Sequence, residues 1–371
     1  MAVTRTNPDE PAASARAPAA ALANGDSEAA AEAAHLHHSS DDRPGYSRRR
    51  RGKGFSYLTP EGNTLSNERV RQRLEALAIP PAWDDVWICR SPNGHILATG
   101  RDEAGRKQYI YHPRWTEVRD AVKFGSLVAF GHSLPSLRRQ VNRDLRSADL
   151  DALRLTAAAI KLLDLTLVRV GNASYARLNK SYGVTTLRDK HVTLDGGELE
   201  LSFRGKSGER HKVSVANQEI AETIRQCQEL PGYELFRYRG DDGDVHVIDS
   251  ADVNDYLRAI TGNDMTAKEF RTWGGTVITA EALASAEVQP SASQAELKRA
   301  AASAVERAAA ALGNTPTICR QSYVHPRLLT SFMAGEFQSP YQEALRAARL
   351  SKPRELRLHE AATLSFLERG A

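Results

Sequence analysis

The hydrophobic period of the sequence changes near residue 126, and this change restricts the folds that the chain can adopt. Before it, short stretches of alternating apolar and polar residues are separated by turn-forming Gly, Pro and Asn, which is typical of antiparallel strands. After it, apolar residues recur at helical spacing. The predicted strands before the change are residues 55–58, 86–90, 95–98 and 108–111. We therefore predict an α+β protein, with a small, mainly antiparallel β-rich domain followed by a mostly α-helical domain that contains a small embedded sheet.

The first 46 residues differ in composition from the rest of the chain. They are dominated by Ala, Ser, Pro, Asp and Glu and hold almost no aromatic or branched apolar residue, so we predict a disordered tail at residues 1–46. The β-rich domain is then predicted at residues 47–126 and the helical domain at residues 127–371. A basic run at residues 48–53 lies at the junction, where it is either a charged linker or an arm that contacts phosphates.

Composition narrows the class of protein without identifying it. With 371 residues, 41% of them hydrophobic, the chain can bury a sizeable core, and its formal net charge of +4 permits nucleic-acid binding without requiring it. The three cysteines form no Cys-x-x-Cys pair, which favours a reducing cytoplasm. No apolar run approaches the roughly 20 residues that span a bilayer, so we expect no membrane partner. The histidines within residues 35–38 are interpreted as a solvated tract, and no metal site is predicted.

A three-stranded sheet is predicted inside the helical domain. Two stretches that alternate with period two flank Gly196-Gly197, which indicates a hairpin. A second turn, at residues 204–209, carries Lys206 and leads into a strand at residues 211–215. This turn lacks the first glycine of a phosphate-binding loop and is followed by a strand instead of a helix, so no nucleotide site is implied.

Two arginines and a tyrosine are predicted near helix ends. Arg169 lies at the end of an apolar helix predicted at residues 153–170. A capping-box pattern places Arg271 near the positive end of another helix, which is a favourable place for a phosphate. Pro316 begins a helix in which Tyr323 falls two turns later. A tyrosine, two arginines and a lysine suit nucleophilic attack on a DNA phosphodiester, where the cations stabilise the accumulating negative charge.

The order of these residues along the chain resembles the type IB DNA topoisomerases of the small bacterial and poxvirus kind, from about residue 52 to near the C-terminus. The matching positions are Arg169, Lys206, Arg271, Asn314 and Tyr323. The resemblance implies that Tyr323 attacks the phosphate, that the arginines hold its non-bridging oxygens, and that Lys206 is the general acid that protonates the leaving 5′ oxygen. Asn314 replaces the histidine of poxvirus and eukaryotic members, and it is either a hydrogen-bond donor to a phosphoryl oxygen or merely a cap of the Tyr323 helix.

The resemblance also implies contacts with DNA. Gln108, Tyr109 and Tyr111 match the strand with which poxvirus members read the major groove, although alternation alone would put both tyrosines on one face as ordinary sheet aromatics. Tyr175 matches a residue that touches the DNA backbone. Lys268 matches a lysine of the topoisomerases, at a position where tyrosine recombinases usually carry histidine.

The protein implied by this resemblance relaxes supercoiled DNA without ATP, through transient cleavage of one strand, a 3′-phosphotyrosyl intermediate, strand rotation and religation. The expected partner is double-stranded DNA, the expected form is a monomer that acts as a clamp around the duplex, and no cofactor or metal is expected. We expect the protein to be cytoplasmic and associated with the nucleoid. Two alternatives are a tyrosine recombinase and a DNA-binding relative that does not cleave. Lys268 counts against the first, and competent residues at every catalytic position count against the second.

Overall fold

The computed structural model describes residues 13–23, 25–52, 54–262, 264–289, 291–351 and 354–369. They form two compact units, of which the first ends at Ser126 and the second begins at Leu127. None of the helices within these ranges is long and apolar enough to cross a lipid bilayer. The prediction of an α+β fold, with a β-rich first part and a helical second part, is confirmed.

The first unit is built on a five-stranded antiparallel sheet with the strand order β2-β1-β3-β4-β5. Its strands are β1 (Tyr46–Arg51), β2 (Gly54–Leu58), β3 (Asp84–Ile88), β4 (Ile96–Arg101) and β5 (Lys107–Tyr111). Its helices are α1 (Ala13–Ala23), α2 (Ser27–Ala33) and α3 (Glu68–Ala76). One face of the sheet packs with α3, and the buried apolar core there is Tyr57, Leu74, Ile79, Val86, Ile88 and Ala98.

The basic run belongs to this sheet, because its arginines lie in β1. The Arg48 guanidinium lies 4.1 Å from the centre of the Phe55 ring and donates hydrogen bonds to the carbonyl oxygens of Ile79, Pro80 and Trp83. Arg48 therefore joins β1 to the turn before β3 and does not belong to a linker. Arg49, Arg50 and Arg51 are exposed on the same strand, and their contact with phosphates stays a prediction. The last residue of the predicted run, Lys53, lies outside the described residues.

The prediction of a disordered tail is wrong for the described part of residues 1–46, which contains α1 and α2. The alanine side chains of α2 and the side chain of Leu36 are buried in a cluster with Trp115 and Val118. Ser39 donates a backbone hydrogen bond to Nδ1 of His95, and His38 stacks on the same ring with centres 4.5 Å apart. Composition misled the prediction because alanine methyl groups, which cannot form a core alone, complete one when they pack on a tryptophan. Residues 1–12 lie outside the described ranges.

The second unit is mostly helical, and α4 begins in the first unit and continues into it. The helices are α4 (Pro113–Asp144), α5 (Ala152–Thr166), α6 (Ala173–Asn179), α7 (Gln218–Gln228), α8 (Ser250–Thr261), α9 (Lys268–Ala284), α10 (Gln294–Leu312), α11 (Pro316–Ser322), α12 (Pro326–Met333), α13 (Gln338–Ser351) and α14 (Leu358–Glu368). The strands are β6 (Val192–Asp195), β7 (Glu198–Arg204), β8 (Arg210–Ala216), β9 (Arg237–Arg239) and β10 (Val245–Val247). The predicted sheet is present as β6-β7-β8, whereas the separate β9-β10 hairpin was not predicted.

Helix α9 positions the site because it packs against α10, α12, α13 and α14. Its residues Phe270, Trp273 and Ala280 are buried, as are three threonines, Thr272, Thr276 and Thr279. A helix that is buried on most sides holds its side chains in fixed directions. The functional side chains described below come from α9 and from the segments that pack on it.

Candidate active site

Tyr323 lies at the junction of two short helices. Thr315 caps α11 by accepting a hydrogen bond from the backbone N–H of Ile318, and Pro316 occupies the first helical position. The helix ends at Ser322, so Tyr323 is the residue that follows its last turn, and its N–H donates to the carbonyl oxygen of Cys319 at 2.8 Å. Because Thr315 is the cap, the interpretation of Asn314 as the cap of this helix is wrong.

The backbone of Tyr323 packs directly on α9. A Cβ atom at Gly275 would lie 2.6 Å from the carbonyl oxygen of Tyr323, so only glycine allows this approach. The Thr276 hydroxyl donates to the same oxygen at 3.3 Å and accepts from the N–H of His325 at 3.1 Å. Sequence reasoning did not identify these residues. The signal that was available is the pair Gly274-Gly275 inside a helical pattern, which indicates a close backbone approach.

Arg271 projects from α9 toward the Tyr323 ring. Its side chain is buried and donates hydrogen bonds to the carbonyl oxygens of Leu312, at 2.8 Å, and of Leu167. Its guanidinium carbon lies 5.0 Å from the centre of the Tyr323 ring. The two carbonyls are at the ends of α10 and α5, so Arg271 joins both helix ends to the nucleophile candidate.

Arg169 lies beyond α5 and not at its end, which corrects the prediction. The helix stops at Thr166 because Leu167 adopts the left-handed conformation, with φ of 55°. Arg169 then lies in an extended segment, where its carbonyl oxygen accepts a hydrogen bond from the N–H of Val184 at 2.9 Å. A Cβ atom at Gly183 would lie 2.4 Å from this oxygen, so a glycine there lets the two segments pack.

The Arg169 side chain orients the Asn314 amide. Nη2 of Arg169 donates to Oδ1 of Asn314 at 2.7 Å, which assigns the oxygen and nitrogen of that amide. Nδ2 of Asn314 is buried and has no hydrogen-bond partner within the described part of the chain. A buried amide N–H₂ without a partner is costly unless a ligand supplies the acceptor. Asn314 is therefore arranged as a donor to a bound group.

The electrostatics of the site favour a negative charge. Burial raises the pKa of the Tyr323 phenol, but the charges and hydrogen bonds of Arg271 and Arg169 outweigh it and the net pKa is lowered. Burial lowers the pKa of Arg271, and the charge of Arg169 adds to that effect. Within the described ranges, these two guanidiniums contact carbonyl oxygens, the Asn314 amide oxygen and the Tyr323 phenol. Neither of them pairs with a carboxylate there. Two buried or half-buried cations without an acidic partner form an anion site.

Lys206 lies in the turn between β7 and β8, as predicted, in a short 3-10 segment Lys206–Gly208, and its side chain is exposed. No hydrogen bond or ion pair holds its ammonium group among the residues that the structure describes. His211, on β8, lies beside this turn. Burial lowers the pKa of its ring, and the charges of Arg169 and Arg271 lower it further. Sequence reasoning did not single out His211, since a histidine in a strand carries no signal by itself.

The predicted DNA contacts lie partly in the first unit. Tyr109 and Tyr111 stack on the same face of β5, with ring centres 5.6 Å apart, and Tyr109 is exposed. Gln108 donates through Nε2 to Oδ2 of Asp102 at 2.8 Å. In the second unit, Lys268 is the exposed first residue of α9, and Tyr175 is half-buried in α6. Their contacts with DNA stay predictions.

Comparison with known proteins identifies the family. Residues 112–339 match the family model described as "Eukaryotic DNA topoisomerase I, catalytic core", and residues 54–102 match "Bacterial DNA topoisomerase IB, N-terminal domain". A solved structure of the site-specific recombinase XerH aligns with 54% of this chain and 51% of its own, at 14% identity and a TM-score of 0.32, which is too low to support an argument.

Two viral relatives extend this result. DNA topoisomerase 1B of Acanthamoeba polyphaga mimivirus is 33% identical over 76% of this chain and 85% of its own length. DNA topoisomerase 1B of Vaccinia virus (strain Copenhagen) is 23% identical over 32% of this chain and 38% of its own. The matches to both family models and the extent of the mimivirus match show that this chain belongs to the type IB DNA topoisomerases.

Proposed function

We propose that this enzyme relaxes supercoiled double-stranded DNA by cutting and resealing one strand, with Tyr323 as the nucleophile and without ATP. The observation that carries the assignment of Tyr323 is the convergence of two guanidiniums on its phenol. A phenol with a pKa of about 10 is a poor nucleophile at neutral pH, and adjacent cations increase its ionised fraction. The same cations attract the phosphate that the phenol attacks.

In the cleavage step, the Tyr323 oxygen forms a bond to phosphorus while the bond from phosphorus to the 5′ oxygen breaks. The phenolic proton leaves to water, and the departing 5′ oxygen takes a proton from the Lys206 ammonium, which water later restores. The products are a 3′-phosphotyrosyl ester and a free 5′ hydroxyl. Because one phosphate ester replaces another of similar energy, the reverse reaction reseals the strand after rotation without an external energy source.

Arg169, Arg271 and Asn314 stabilise the transition state in this proposal. The guanidiniums donate to the non-bridging oxygens, on which negative charge accumulates, and the unpartnered Nδ2 of Asn314 donates to one of them. Arg271 is fixed by two main-chain carbonyls and Asn314 is fixed by Arg169. Donors that are held in place before the reaction need little reorganisation during it, which is the basis of electrostatic catalysis.

A supercoiled plasmid incubated with the protein in EDTA and without ATP tests this proposal. We expect stepwise relaxation, and a covalent protein–DNA complex when the reaction is stopped with denaturant. Tyr323→Phe should bind duplex but give neither product, because only the phenolic oxygen is removed. Tyr233→Phe is the matched control, since Tyr233 is exposed elsewhere in the second unit. A covalent complex that persists in Tyr323→Phe would assign the nucleophile to another residue.

We further propose that the enzyme acts as a monomeric clamp on the nucleoid DNA of the cytoplasm. Gln108, Tyr109 and Tyr111 of the first unit would contact the major groove, and Tyr175 and Lys268 of the second unit would contact the backbone. The exposed, stacked tyrosines of β5 support this assignment. Sedimentation of the protein with a short duplex should give one protein per duplex, and Tyr109→Ala should weaken binding.

A further inference from the structure

His211 occupies a position between two segments that carry proposed catalytic residues. It lies on β8, directly opposite Phe203 of β7, and its ring stacks on the Phe203 ring with centres 5.1 Å apart and planes 15° apart. The pair lies at the end of the β7-β8 hairpin, next to the turn that carries Lys206. The stacked rings therefore fix the direction in which the imidazole leaves the hairpin.

The edge of the imidazole touches two glycine backbones. A Cβ atom at Gly205 would lie 2.5 Å from Cδ2 of His211, and a Cβ atom at Gly313 would lie 2.7 Å from Cε1. Gly205 directly precedes Lys206, and Gly313 directly precedes Asn314. These separations are shorter than any side chain tolerates, so the ring fills the space between the two main-chain segments.

The charges around His211 explain why a neutral ring suits this place. Arg169 and Arg271 face it from the catalytic cluster, and Glu209 faces it from its own hairpin. Burial, followed by the two arginine charges, lowers the pKa of the ring and so favours its uncharged form. An uncharged, flat side chain fills the gap without neutralising the cations that a phosphate requires.

Lys206 needs such a support. The Lys206 side chain is exposed, and its ammonium group has no hydrogen bond or ion pair among the described residues. A general acid must nevertheless reach the leaving oxygen within hydrogen-bond distance. The imidazole lies between Gly205 and Gly313, so it joins the hairpin to the residue that directly precedes Asn314.

We propose that His211 is a positioning residue, which holds the Lys206 turn against the Gly313-Asn314 segment and thereby places the general acid at the scissile phosphate. The proposal rests on the function proposed above and on the assignment of Lys206 to the leaving oxygen. It concerns the placement of the turn, not a proton transfer by the imidazole.

The test compares two cleavage substrates that differ in the leaving atom, a normal strand and a strand with sulfur in place of the 5′ oxygen at the cleavage site. Sulfur leaves without a proton, so a defect that acts through Lys206 should disappear on the second substrate. His211→Ala should slow cleavage of the normal strand roughly 10–100-fold, the loss expected when a catalytic group is misplaced by about 1 Å. On the sulfur substrate its rate should return to that of the wild type. Duplex binding should be unchanged.

Gly205→Ala tests the contact between Gly205 and the His211 ring without changing His211, in case His211→Ala is poorly folded. The backbone of Gly205 has φ of −91°, which alanine adopts freely, so the added methyl group acts only by displacing the imidazole. The same sulfur-rescued defect is expected. In a His211→Ala background the Gly205→Ala change should add little, because the atom it displaces is gone. Lys212→Ala is the matched control, since Lys212 is the next residue of β8 and its exposed side chain pairs with Glu200.

The outcomes separate the two proposals. If the wild type cleaves neither substrate, the proposed function fails. If the wild type cleaves and Lys206→Ala is rescued by sulfur, two results would overturn the role of His211: a normal rate in His211→Ala and in Gly205→Ala, or an equal defect on both substrates. Rescue by sulfur in both variants supports it.

Discussion

At the scale of single residues, the Asn314 amide shows how one hydrogen bond determines the chemistry of a neighbouring atom. Because Oδ1 accepts from Arg169, the amide presents Nδ2 as a donor. We expect Asn314→Ala to lose up to about 3 kcal/mol of transition-state stabilisation, as for removal of one oxyanion donor. Asn314→His, which keeps a donor, should retain more activity. Asn314→Asp should be worse than alanine, because a carboxylate would pair with Arg169 and repel the phosphate. Single-turnover cleavage rates measure all three, and a wild-type rate in Asn314→Ala would refute the assignment.

The Tyr323 phenol gives a second prediction at this scale. Burial favours its neutral form, whereas Arg271 and Arg169 favour the phenolate and outweigh burial, so its pKa lies below the usual value of about 10. Ionisation should therefore begin at a lower pH than for an exposed tyrosine. The ultraviolet difference spectrum of the DNA-free protein, after subtraction of Tyr323→Phe, measures this midpoint. Arg169→Ala should raise it. A midpoint above 10 in the wild type would mean that burial dominates.

At the scale of elements, Gly275 controls how the α11-α12 junction packs on α9. A methyl group there would lie 2.6 Å from the Tyr323 carbonyl oxygen, which must then move. In Gly275→Ala, alanine favours the helix by about 1 kcal/mol and partly offsets the clash, so we expect a folded protein that cleaves DNA slowly. Gly125→Ala in α4 is the control, because no atom lies within 4 Å of its Cβ position. It should gain stability and keep full activity. Full activity in Gly275→Ala would show that the junction tolerates displacement.

The N-terminal helices are predicted to stabilise the fold, whereas composition alone predicts a disordered tail. A variant that begins at Asp26 keeps α2 and Leu36, whereas one that begins at Tyr46 exposes Trp115 and Val118. The second should unfold at a lower temperature than the first. Leu36→Ala in the full chain isolates one contact and should cost about 2–5 kcal/mol, the range for a buried leucine. Calorimetry measures each change, and equal unfolding temperatures for the two truncations would contradict the packing.

Elements with strict alternation could be predicted from the sequence, and those defined by long-range contacts could not. Strands β6 and β7 alternate apolar and polar residues, and their hairpin is predicted from the sequence. Strand β1 consists mostly of arginines and has no such pattern. The early end of α5 depends on the left-handed conformation of Leu167, a residue whose propensity favours helix.

The candidate site divides in the same way. Its charged residues were found because the resemblance names them by sequence position, and the Tyr323 segment has clear helix boundaries. The supports Gly275 and His211 were missed, because each acts through a contact with a segment far away in the chain. Such contacts leave no periodic signal in the sequence, and single glycines and histidines also occur at many positions without a structural or catalytic role.

At the scale of the whole second unit, a buried ion network joins its first, second and last helices. The Arg138 guanidinium of α4 donates to Asp164 of α5 and to Glu360 of α14, each at 2.7 Å. Arg138 and Glu360 are almost fully buried. Replacing a buried pair as a whole can be neutral, but removing one partner leaves a buried charge without its partner. The network therefore makes the docking of the C-terminal helix depend on the charge of Glu360.

Burial raises the pKa of Glu360, but the hydrogen bonds and charge of Arg138 outweigh it, so its pKa in the folded protein is below the unfolded value of about 4.3. The stability that this charge contributes is therefore present above that value and is lost as the pH falls through the folded pKa. Glu360→Gln should lower the free energy of unfolding at pH 7 by about 3 kcal/mol, the lower end for a broken buried pair, because Asp164 remains. The difference in unfolding free energy between Glu360→Gln and the wild type should shrink in acid.

Urea unfolding at several pH values measures this difference. Glu343→Gln is the control and should change the stability little, because Glu343 forms an exposed pair with Arg369. A pH-independent difference would mean that the side chain contributes by packing and not by charge.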